Sequence, residues 1–161
     1  MGKRTSRGLW VVPFILLVAG GCQKPVQIQF TRDPQLNEAK QALDLDLVLI
    51  YASDVKQDSR WDPKKPVLNS RAYFTERDEI AKRLGPGRIT KLVLLGDDTK
   101  EVPETAIDIP QLWDKPVIFI FGDYRNAKND LTETQPVVLT NVLMLPRPVV
   151  VHVGKERLSR K

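Results

Sequence analysis

The chain has one cysteine, Cys22, and one histidine, His152, among 161 residues. A single thiol closes no internal disulfide, and two Cys/His side chains fall short of the four ligands of a structural zinc site. Long apolar runs are also scarce. The stretch Leu9–Gly21 is thirteen residues long, about 20 Å as a helix, against a hydrocarbon core of about 30 Å, so a transmembrane helix is disfavoured. Cationic excess is thinner than it looks. The chain carries 25 Lys+Arg and 20 Asp+Glu, yet Lys3, Arg4 and Arg7 precede any acid. Without them 22 basic residues face 20 acidic ones, a net of +2, and the tail Lys155–Lys161 holds +3 of that. The body from Cys22 to Gly154 therefore sums to −1, which lacks the broad basic face that phosphate recognition needs and argues against nucleic-acid binding.

The N-terminus combines a basic start, a short apolar core and three small residues, Ala19-Gly20-Gly21. That is the pattern of a secretory signal peptide over residues 1–21. Cys22 follows directly, and the segment resembles the lipobox of bacterial lipoproteins, with Ala19 where leucine is usual. The resemblance implies that Cys22 is acylated and that the chain is cut before it, leaving 140 residues, enough for one domain with a core. Met1–Ser6 also fits an N-myristoylation pattern, which the apolar run behind it overrides. With its thiol committed to lipid, the chain has no cysteine nucleophile. His152, within the apolar run Val149–Val153, reads as a sheet residue, exposed or hydrogen-bonded, so Ser-His-Asp and Cys-His catalysis are disfavoured.

Residues 22–42 read as a lipidated tether, in which Val26–Phe30 alternates as a short edge strand and Pro34–Ala42 is polar. From Leu43 the period is two. Leu43, Leu45, Leu47, Leu49 and Tyr51 alternate with Asp44 and Asp46, whereas Val48-Leu49-Ile50 is apolar on both faces. Further strands are predicted over Val67–Phe74, Ile89–Leu95, Ala106–Ile109, Val117–Phe121, Val137–Leu145 and Val149–Val153, with prolines at their ends. Thr75 and Asp78 form a capping-box pattern for one short helix that Gly85-Pro86-Gly87 ends. The expected fold is mainly β: a single sandwich over residues 43–154 with one short helix, followed by a frayed basic tail at 155–161.

Few residues suggest chemistry. Asp97-Asp98 offers two carboxylates for a hard cation, but Gly96-Asp97-Asp98 is more simply a turn. Asp44 and Asp46 share a strand face as an acid–base pair would, yet the alternation makes them the solvent side of a half-buried strand. No metal, cofactor or catalytic residue is expected. The loop Ser53–Pro66 is long and sets Trp61 among Asp58, Arg60 and Asp62. Tryptophan and arginine are the residues most enriched at binding hot spots, so these four are candidate partner-binding residues. The alternative is that Trp61 folds back to cap the core. Trp113 is expected in the core or at its rim.

Two segments are similar to the outer-membrane lipoprotein of bacterial type VI secretion systems. Pro66-Val67-Leu68-Asn69-Ser70-Arg71-Ala72-Tyr73 matches a proline-led stretch ending Arg-apolar-Tyr. Val117–Asn126, with Tyr124-Arg125-Asn126, matches an apolar strand ending Tyr-Arg-Asp/Asn. Departures fall on the first long loop, where only Asp62-Pro63 stands for an Asn-Pro-Asp-like segment, and after Asn126, where a tryptophan is missing. The resemblance implies a transthyretin-like or immunoglobulin-like sandwich with an added helix and no catalysis. It also implies an acyl anchor in the outer membrane, facing the periplasm, to which Gln23 after Cys22 is suited. The implied partner is the periplasmic domain of an inner-membrane secretion protein, with the first long loop contributing. The rival readings are an envelope lipoprotein of unrelated role (an assembly factor or a carbohydrate-binding sandwich) and an enzyme with two carboxylates across a cleft.

Overall fold

Alternation in Leu43–Tyr51 becomes strand β2 (Leu43–Ile50), the centre of one of two four-stranded sheets. The computed structural model describes residues 25–32, 42–94, 104–125, 130–154 and 156–160. β2 pairs antiparallel with β3 (Ile89–Leu94) and with β5 (Val117–Gly122), and β5 pairs with β6 (Val137–Leu139), giving the order β3-β2-β5-β6. The second sheet has the order β4-β1-β7-β8, from β4 (Glu104–Ile107), β1 (Val26–Arg32), β7 (Val149–Val153) and β8 (Leu158–Arg160). The predicted β-sandwich is present.

Between the sheets, Leu45, Leu47, Leu49, Ile118 and Ile120 meet Ile28, Phe30, Val149, Val151 and Val153, all buried. Removing an aliphatic side chain of this size from water contributes about 1.5–3 kcal/mol. The first sheet is buried on its other face too. There Val48, Ile50, Phe119 and Phe121 lie under helix α2 (Ser70–Leu84), which contributes Tyr73 and Ile80, with Trp61 and Leu68 completing a second apolar cluster. The molecule thus has three layers, sheet, sheet and helix, which is why β5 is buried at all six positions.

Local rules explain where the expectations fail. Val67–Phe74 is not a strand: Asn69 accepts a hydrogen bond from the Ala72 amide at 2.8 Å and starts α2 at Ser70. Thr75 is therefore interior to the helix rather than its cap, its hydroxyl donating to the Arg71 carbonyl. The predicted stop holds, with Gly85 at φ 85°. β1 is an interior strand, paired with β4 on one side and parallel to β7 on the other, not an edge. The tail is not wholly frayed, because Leu158 is buried and β8 pairs with β7. The predicted strand over 137–145 is cut at Leu139, where Asn141 at φ 52° turns the chain into a 3₁₀ turn, Val142–Met144. Trp113 stands outside the core, 79% exposed. The segments carrying Cys22, Pro34–Gln41 and Asp97-Asp98 lie outside the described residues.

Candidate partner-binding site

The loop after β2 is folded throughout the part that carries the candidate residues. Helix α1 (Ala52–Gln57) is followed by a 3₁₀ turn, Ser59–Trp61. Tyr51 donates its amide to Asp54 at 2.7 Å, and Arg88 pairs with Asp54 while lying 4.4 Å over the Tyr51 ring. Arg88 also donates to the Leu49 carbonyl at 2.8 Å. Ser53 binds Asp114. The loop is thereby rooted to both neighbouring strand ends before it reaches Asp58.

Asp58 caps the 3₁₀ turn by accepting from the Arg60 amide at 3.1 Å. Its carboxylate also accepts from Arg60 Nε at 3.0 Å and Nη2 at 2.9 Å, and pairs with Arg83 of α2 at 3.1 Å. Arg60 reaches Glu76 of α2 at 2.8 Å. Asp62 accepts from the Lys64 amide at 2.9 Å and tightens the next turn. Asp58, Arg60, Glu76 and Arg83 thus form an alternating ridge of charge along the outer layer. The Arg60 side-chain hydrogen bond holds the Asp58 carboxyl below its ordinary range, against burial, and Asp58 in turn raises Arg60. Carboxylates held this way suit charge-complementary contact, not proton transfer.

A folded-state pKa depressed below the unfolded value stabilises above the unfolded pKa, and that stabilisation is lost as pH falls through the folded pKa. Arg60→Met should return the Asp58 carboxyl toward 3.8. Urea unfolding followed from about pH 6 to about pH 2 should then show a shallower acid-side loss in the variant than in the native chain. Identical acid limbs would contradict this role for Asp58.

Trp61 is placed by the second of its two sequence readings. It is 1% exposed, edge-on to Phe119 at 5.3 Å and to Phe121 at 6.3 Å. It presents no surface to a partner and instead pegs the ridge to the outer core. Asp58, Arg60 and Asp62 are half-buried on the loop, whose exposed positions include Lys56, Gln57, Ser59, Lys64 and Lys65.

One polar centre escapes the strand-pattern reading. Asp46 is not on a solvent face: it is fully buried beneath α2, accepting from the Tyr73 hydroxyl at 2.7 Å and from Arg77 Nε at 2.7 Å, with a second bond from Arg77 Nη2. Burial and the neighbouring Asp46 charge push the Tyr73 hydroxyl well above its ordinary range. Burial disfavours the Arg77 cation, and its bonds to Asp46 more than offset this, raising it. Asp44 is only half-buried, and its charge adds to the raised Arg77 pKa. The signal that could have found this centre is Val48 and Ile50, which share Asp46's face and are apolar, so that face had to be covered.

The two family-like segments take structural roles. Tyr73 of Arg71-Ala72-Tyr73 binds Asp46, and Tyr124 is buried with its hydroxyl donating to the Gly154 carbonyl at 3.2 Å, its pKa raised by burial. Arg125 bonds Asp123 at 3.0 and 2.9 Å. His152 is a half-buried sheet residue, 3.2 Å from the Thr31 hydroxyl, as expected. Among the described residues no group of three or more His, Cys, Asp or Glu is placed to hold a metal ion, and no helix is long and apolar enough to cross a membrane.

No family profile matches this chain, and no curated protein matches it in sequence. Solved structures do match. The chain is similar to Serratia marcescens Lip, a membrane-bound component of the type VI secretion system. The two share 15% identity with a TM-score of 0.50, over 86% of this chain and 98% of that one. It is also similar to a chain of a type VI membrane complex, at 15% identity and a TM-score of 0.55, again over 86% and 98%. The resemblance read from two short segments therefore extends to the whole sandwich. At this identity what is common is the fold.

Proposed function

We propose that this protein is the outer-membrane lipoprotein of a type VI secretion membrane complex, a non-catalytic scaffold that ties the complex to the lipid. The observation that carries the proposal is the common fold over 98% of the Lip chain, in a sequence whose Cys22 follows a basic start, an apolar run and three small residues. In this reading residues 1–21 are removed and Cys22 is acylated. Several acyl chains, at about 0.8 kcal/mol per buried methylene, hold the protein persistently where a single chain would not. The domain faces the periplasm, and the Asp58–Arg60 ridge, with Asp62 beside it, docks the periplasmic domain of an inner-membrane secretion protein, with Trp61 as internal support.

Two measurements separate the parts of this proposal. Mass spectrometry of the membrane fraction should find Cys22 N-terminal and acylated, and Cys22→Ser should release the protein; an unmodified Cys22 would sink the anchor. Arg60→Ala should weaken capture of the inner-membrane partner by about 2 kcal/mol, about 30-fold, as a hot-spot arginine does. Native-like capture by both Arg60→Ala and Asp62→Lys would sink the docking surface and leave the anchor standing.

A further inference from the structure

Among the described residues four large apolar side chains are exposed: Val67, Val93, Trp113 and Met144. The two most exposed, Trp113 at 79% and Met144 at 88%, share one end of the sandwich. Trp113 lies in the 3₁₀ turn Leu112–Asp114, between the end of β4 and the start of β5. Met144 lies in the turn Val142–Met144, between the end of β6 and the start of β7. Register brings these termini together: Ile118 of β5 faces Leu139 of β6, so the residues before β5 run beside those after β6. Both turns are flanked by a left-handed residue, Lys115 at φ 44° and Asn141 at φ 52°. Trp113 and Met144 are the most exposed of these four side chains, and both sit on tight turns at one end of the sandwich.

The chain also enters the sandwich at this end. Val26, the first residue of β1, faces Ile107, the last of β4, and Ile28 faces Val149, the first of β7. Cys22 stands three residues before Pro25, a reach of at most about 11 Å. Exposed Lys56, Lys115 and Arg147 lie on the segments of this same end, with Pro146 and Pro148 exposed beside Arg147. Trp favours the boundary between headgroups and acyl chains, flexible Met accommodates irregular apolar surroundings, and basic residues favour anionic headgroups.

We infer that Trp113 and Met144 form a membrane-seating surface, lodged in the headgroup–acyl boundary of the bilayer to which Cys22 is anchored. The inference rests on the lipid-anchor reading. It also sets the orientation of the domain: the Trp113 end abuts the lipid. The lipid-facing end limits tilting about a short tether, so the anchor holds the domain in one pose.

The test uses the processed, acylated protein in vesicles of phosphatidylethanolamine and phosphatidylglycerol, with bromine on shallow or on deep acyl carbons. Trp113 and buried Trp61 are then the tryptophans of the chain. Shallow bromolipid should quench Trp113, deep bromolipid should quench it less, and Trp113→Ala should remove the quenched component while Trp61 emission persists. Met144→Glu should reduce the quenching of Trp113. Acylated Cys22, verified by mass, with no bromolipid quenching would overturn the inference and leave the anchor reading intact. An unmodified Cys22 would overturn both. Shielding of Trp113 from aqueous iodide that grows with protein density, without bromolipid quenching, would assign the surface to a second copy and overturn it.

Discussion

Asp46→Ala is expected to destabilise the domain by about 3–5 kcal/mol, since removing one partner of a buried ion pair leaves the other without compensation. Asp46 is fully buried, and it serves both the Tyr73 hydroxyl and the Arg77 guanidinium from beneath α2. Truncation leaves a buried hydroxyl without its acceptor and a largely buried cation without its carboxylate. Arg77 retains 23% side-chain exposure, so its escape toward water places the effect toward the lower end of that range. Against a typical domain stability of about 5–15 kcal/mol, such a loss abolishes folding in the least stable case. Urea unfolding reads the change, with a reduced midpoint at an unchanged slope. The triple variant Asp46→Leu, Tyr73→Phe, Arg77→Met removes every polar partner at once and should recover most of the lost stability, because buried ion pairs roughly break even against apolar packing. A triple variant no better than Asp46→Ala would mean that packing under α2, not the unpaired polar groups, sets the cost.

The same centre explains what the sequence could and could not reveal. Strands β2, β3, β5 and β7 were legible because period-2 alternation or continuous β-branched runs dictate them locally. The helix over Ser70–Leu84 was half-legible: its Gly85 stop is a local signal, but Val67–Phe74 is apolar enough to read as a strand, and only the Asn69 side chain closing on the Ala72 amide decides otherwise. Moving the helix cap back six residues, from Thr75 to Asn69, puts Tyr73 on the helix beside Arg77, over the sheet, and turns Asp46 from a solvent residue into a buried one. The misplacement of β1 as an edge has a different origin. Its partners β4 and β7 lie far along the chain, and no local pattern reports a long-range pairing. Asp58 and Arg60 stand close together in the sequence, whereas their partners Glu76 and Arg83 come from a helix whose packing the sequence did not disclose. Cys22 lies outside the described residues, and its reading rests on the lipobox-like pattern of its sequence neighbours alone.

Trp61→Ala should be the second large perturbation, at about 3–5 kcal/mol, the range for emptying a buried aromatic site. The side chain is 1% exposed, and its two edge-on contacts with Phe119 and Phe121 each add about 0.5–1.5 kcal/mol beyond area burial. Phe121 also stacks on Tyr73 at 4.1 Å, so the cavity opens beside the Asp46 centre, and the two losses should not add when combined. A consequence for function follows from where Trp61 sits. It follows Arg60 directly, so its loss frees the 3₁₀ turn that aims Arg60 at Glu76 and Asp58. Partner capture should then fail in Trp61→Ala together with stability, while Arg60→Ala should lose capture at a nearly native unfolding midpoint, as expected of a partly exposed pair. Trp61→Phe retains one ring against Phe119 and should fall between wild type and alanine on both scales. If Trp61→Ala unfolded at the native midpoint yet lost capture, the indole would be reaching the partner directly, and its role as an internal peg would be wrong.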